Sequence, residues 1–238
     1  MIDYVLVVLL IGVMPARALY KDLCGKSKEE NRQKKYIGSS AIIVCLLILL
    51  CYAWLHGARS MALLGLDIPL TNRGTFGLAI AIALLVGLVV VATIAKRKHE
   101  GRNNDKGAER FSKNQLLPRT RHELSLFLVF ALLAGCGWEL LYRGFLIWFL
   151  VPYVGTIVAV CIAALAYGAA HGYKNRKQFL ASTISAFAFT VAFVLTGSLW
   201  WLMLIHTAVG FAGGIAGYKA VSKHHEITMS TSEQAARP

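Results

Sequence analysis

Charge is what this sequence is short of. Only 16% of its 238 residues are Asp, Glu, Lys or Arg, against 57% hydrophobic residues and a mean hydropathy of +0.58. So few charges cannot cover the apolar surface of a soluble domain this long, which excludes a water-soluble enzyme or binding module. Acidic residues are scarcer still, 12 against 25 Lys and Arg. A basic excess often points to nucleic acid, but here the charge sits in short stretches between apolar runs. It reads as topogenic loops facing the cytoplasm, and no nucleic-acid partner is expected. Cysteine is present as five residues, an odd number with no zinc-ligand pairing, which excludes a disulfide framework. Cys45, Cys51, Cys136 and Cys161 lie in apolar runs and read as small hydrophobes, whereas Cys24 lies in a basic loop as a free thiol. No basic stretch precedes the first apolar run, which begins Met1-Ile2-Asp3, so that run is expected to be a retained span rather than a signal peptide.

What the sequence has in quantity is long apolar stretches. Crossing the hydrocarbon core takes about 20 such residues. The expected fold is an all-α, polytopic membrane bundle of about seven helices, near residues 2–20, 37–58, 75–95, 123–150, 154–172, 178–196 and 199–221. The loops set the orientation. Residues 15–36 hold seven Lys/Arg, residues 96–122 hold nine and Tyr173–Lys177 holds three, while 59–74, 151–153 and 197–198 hold few or none. Alternation of basic and non-basic loops places the N-terminus outside and the C-terminus in the cytoplasm, in the plasma (inner) membrane if the source is bacterial. The expected organisation is three leading helices in 1–95, a basic linker at 96–122, a core of four helices at 123–221 and a disordered tail at 222–238.

Ionisable groups at membrane depth are costly and mark functional sites by default. Four stand out on three trailing spans: Glu139, Arg143, His171 and His206. Glu139 and Arg143 are four apart on one helix and share a face, as a structural ion pair also would. A carboxylate that activates water, a histidine that orients it and a second that stabilises an oxyanion make a hydrolytic constellation. Glu139, His171 and His206 are equally a zinc-ligand set with one open position. Residue types leave both open. At about 1.5 Å of rise per residue, the three fall about 16, 25 and 10 Å from the expected outer ends of their helices, levels that do not coincide.

The motifs around these residues resemble those of the CAAX protease and bacteriocin-processing family. Trp138-Glu139-Leu140-Leu141-Tyr142-Arg143-Gly144-Phe145-Leu146 resembles its EExxxR motif, commonly EELLFRGFL. Tyr167-Gly168-Ala169-Ala170-His171 resembles FxxxH, and His206-Thr207-Ala208-Val209-Gly210 resembles HxxxN. The resemblance implies an intramembrane endopeptidase acting on a membrane-associated or lipidated peptide. Eukaryotic members remove the last three residues of prenylated proteins, and bacterial relatives are linked to peptide maturation, bacteriocin immunity and surface-protein regulation. It also implies roles without a metal: the first Glu and the second-motif His activate water, and the third-motif His and Asn hold the oxyanion.

Two positions depart from the pattern. Trp138 stands where the family has the first Glu, and Gly210 where it has Asn. On a regular helix a residue five before Arg143 lies about 140° around the axis and one four before only about 40°, so Glu139 matches the arginine-facing second Glu. Two expectations follow. In one, Glu139 and His171 carry acid–base work, His206 is the oxyanion donor, and Arg143 holds Glu139 ionised and oriented, with no cofactor. In the other, the chain is a catalytically silent relative that binds a membrane peptide as an immunity or regulatory protein.

Overall fold

A computed structural model describes residues 1–24, 31–68, 70–99, 116–173 and 175–235, with the backbone alone for 95–99 and 223–235. Among the described residues there is no strand, and six helices are long and apolar enough to cross a membrane. The protein is an integral membrane bundle of helices. They are α1 (Ile2–Cys24), α2 (Arg32–His56), α3 (Asn72–His99), α4 (Arg121–Ala170), α5 (Arg176–Thr196) and α6 (Trp200–Ala235).

The count is six rather than seven because the fourth and fifth expected spans form one helical run of 50 residues. That run does not stay straight. The rings of Tyr142 and Tyr167 meet at 5.2 Å, although 25 residues of straight helix would hold them about 37 Å apart. The reversal is at Gly155, whose φ of 74° and ψ of 166° belong to a region that only glycine occupies without strain. Pro152, three residues earlier, already removes one helical donor. α4 is therefore a hairpin with an outgoing arm (121–154) and a return arm (156–170).

The helix starts follow from their side chains. Asn31 accepts the N–H groups of Gln33 and Lys34, Thr120 that of Glu123, and Asn175 that of Gln178. Close approach follows from small residues. A Cβ on Gly168 would press on Thr183 of α5, one on Gly137 on Ile43 of α2, and one on Gly214 on Phe127 of the outgoing arm. Gly210 and Gly217 likewise lie against Ala131 and Leu117, so these three glycines of the last helix pack inside the chain, while Gly213 meets nothing within 4 Å.

One expected segment differs in the structure. α6 runs on to Ala235 where a disordered tail is expected from Ser222, and no Gly or Pro between Gly217 and Pro238 interrupts it. The basic linker falls mostly on residues 100–115, outside the described residues.

Candidate active site

The site is built around the outgoing arm of α4. Glu139 ends its regular α-helical part, and Leu140–Phe145 is a π-helical turn in which the Leu146 N–H reaches the Leu141 carbonyl five residues back. Such turns are rare and concentrate at functional sites. The regular-helix angles drawn from the sequence do not apply across this turn.

Within it, Arg143 is 1% exposed and Glu139 2% exposed, and their side chains pair at 3.3 Å. Burying a charge is tolerable only with partners, and Arg143 has three. Besides Glu139, its Nε donates to Thr190 Oγ1 at 3.3 Å, and its guanidinium lies 3.9 Å from the Tyr167 ring centroid. Thr190 is itself fully buried and donates to the Ala186 carbonyl.

His206 of α6 closes on the same carboxylate, its Nδ1 lying 2.8 Å from Glu139 Oε1. Oε1 therefore receives both Arg143 and His206. The other oxygen, Oε2, is buried and has no hydrogen-bond partner. His171 caps the return arm, its Nδ1 2.9 Å from the Tyr167 carbonyl and its ring 4.4 Å from the Tyr167 ring. A carbonyl only accepts, so Nδ1 carries the hydrogen and Nε2 is left with its lone pair. His171 lies within electrostatic reach of Glu139, Arg143 and His206. The His206 side chain is 32% exposed and His171 is exposed, so the site is approached from its histidine side.

The structure brings Glu139, Arg143 and His206 into direct contact, with His171 within electrostatic reach of them. The mismatch in depth came from the boundaries. Gly155, not residues 151–153, is the turn, and it lies sixteen residues from both Glu139 and His171, which levels them. Just before α6, Ser198 and Leu199 are fully buried, and the Leu199 N–H donates to the Gly65 carbonyl at 2.8 Å.

The departures from the motif are also placed. Trp138 is half-buried, its ring 5.9 Å from that of Tyr142, and Gly210 lies beside Ala131. For the zinc alternative, Glu139, His171 and His206 would have to close on one point, and among the described residues no group of three His, Cys, Asp or Glu is arranged to hold a metal ion.

Residues 120–212 match the family model described as type II CAAX prenyl endopeptidase Rce1-like. This match supports the resemblance of the segment to the CAAX protease family. The segment is less than half of the chain, and it contains Glu139, Arg143, His171 and His206 as well as Tyr167 and Thr190. No curated protein and no solved structure matches the chain. Tyr167 and Thr190 escaped the sequence reading as site residues. Tyr167 is visible there only as a replacement for a motif Phe, and Thr190 only as one of several threonines in an apolar helix.

Proposed function

We propose that the chain is an intramembrane endopeptidase that hydrolyses a peptide bond of a membrane-associated or lipidated substrate. The observation that carries this reading is the unpartnered, buried Oε2 of Glu139, beside an Oε1 saturated by Arg143 and His206. A buried acceptor left open is costly, and a water or substrate group would satisfy it.

The chemistry follows from the free atoms. A water held by Glu139 Oε2 and His171 Nε2 attacks the carbonyl carbon and gives one proton to Glu139. His206, with Nδ1–H committed to Glu139, presents Nε2 in its protonated form to the oxyanion. Glu139 returns the proton to the leaving amine as the C–N bond breaks, and no metal is required. Arg143 positions the carboxylate through this cycle. The basic loops support an N-terminus outside and a C-terminus in the cytoplasm.

Trp138 and Gly210 favour a second reading, a silent relative that binds a membrane peptide, because both replace groups to which the family assigns chemistry. Cleavage of a fluorogenic peptide library by the purified protein in detergent decides between the two. Under the first reading the native chain cleaves, and Glu139→Gln lowers the rate roughly 10²- to 10⁴-fold. A native chain that is inert, with cleavage gained by Trp138→Glu, assigns the scaffold to binding.

A further inference from the structure

His171 rides on the last turn of the return arm, and part of what fixes that turn comes from far away in the chain. The arm stops at Gly172, whose φ is +78° and whose N–H returns to the Ala169 carbonyl at 3.0 Å. In a glycine-terminated end of this kind, the next N–H folds back to the carbonyl of the third-last helical residue, which here is Gly168. It does not do so. The Tyr173 N–H donates to Asp22 Oδ2 at 2.8 Å, and the Gly168 carbonyl is taken by the His171 N–H. A side chain on Gly172 would collide with the same carboxylate, so α1 approaches the backbone directly.

Asp22 lies in the last turn of α1. There it faces the negative ends of two helix dipoles, its own and that of the return arm, an unfavourable placement for a carboxylate. The charge-assisted bond from Tyr173 offsets that cost. The same helix also grips the outgoing arm, where the Tyr142 hydroxyl donates to the Leu10 carbonyl at 3.0 Å, one residue from Arg143.

We propose that Asp22, outside the segment that matches the family, is a positioning residue for His171. It accepts the Tyr173 N–H, which no helix carbonyl takes up, and so fixes the turn that carries the imidazole. Its effect on turnover rests on the hydrolase reading above; its effect on the His171 ring does not.

The test uses the full-length protein in detergent with Asp22→Ala and Asp22→Asn. It combines nitrogen-15 NMR of the histidine side chains, with His171→Gln assigning the resonance, and steady-state cleavage of a fluorogenic peptide. Asp22→Ala is expected to move the His171 ring resonances and to lower kcat roughly 10- to 100-fold. KM should stay within about twofold. Asp22→Asn, whose side-chain oxygen accepts the same N–H, restores both. Unmoved His171 resonances in Asp22→Ala, or Asp22→Asn behaving like Asp22→Ala, overturn the proposal. If the native chain cleaves nothing, the resonances alone decide: shifted in Ala and restored in Asn, they uphold the positioning role while the hydrolase reading falls.

Discussion

Glu139 and Arg143 stand to each other as a charge pair with almost no water, 2% and 1% exposed. Removing one partner of such a pair strands the other, whereas removing both also removes the cost of burying them. Arg143→Met alone is therefore expected to destabilise the protein by about 3–5 kcal/mol. The double variant Arg143→Met with Glu139→Gln should recover most of that loss, read from thermal unfolding in detergent. Full additivity of the two substitutions would show that the pair is not coupled. Both residues were legible in the sequence because charges in an apolar run are conspicuous. Thr190 was not, because Thr183, Thr190 and Thr196 all donate to carbonyls of the preceding turn. What sets Thr190 apart is the arrival of Arg143, as that of Trp201 sets Thr196 apart.

At the scale of elements, α1 shows how a local sequence feature is used by a distant one. Leu9–Val13 is a second π-helical turn, so the Met14 N–H goes to the Leu9 carbonyl five residues back. In that register the donor for Leu10 would be residue 15, which is Pro15 and has no N–H. The freed Leu10 carbonyl accepts the Tyr142 hydroxyl instead. Tyr142→Phe is expected to cost about 1–3 kcal/mol by leaving that buried carbonyl unpaired. In a Pro15→Ala background, where residue 15 regains an N–H, the cost should be smaller. Equal losses in both backgrounds, measured by thermal unfolding, would contradict this account. The first span looked weak in the sequence because of Pro15 and Arg17. Its proline is what ties it to the motif helix.

For the molecule as a whole, the helices expose large apolar residues outward, such as Phe76, Leu84 and Val91 of α3, as a bundle in lipid does. α1 is held across the bundle at several points. Arg59 bonds Asp3 at 2.9 and 2.7 Å and lies over Trp54 and Trp148, and the Tyr4 hydroxyl meets that of Tyr153. The proposed orientation, N-terminus outside, would turn the exposed Cys24 at the far end of α1 toward the cytoplasm. A membrane-impermeant maleimide should label Cys24 in inside-out vesicles and not in right-side-out ones, leaving Cys45 and Cys51 unlabelled within their span. The reverse pattern would invert the assigned orientation.

The sequence by itself determined that the chain is a helical membrane protein, where its apolar runs lie, and which four ionisable side chains of the trailing half sit within them. Each of these depends on composition along a single stretch, because the cost of a charge or an unpaired backbone group in lipid is local. Only the tertiary structure decided that Gly155 folds α4 back on itself, and that Oε1 of Glu139 is shared while Oε2 stays open. Those depend on which helix faces which, and a neighbour's donor leaves no mark on the sequence of the acceptor it serves.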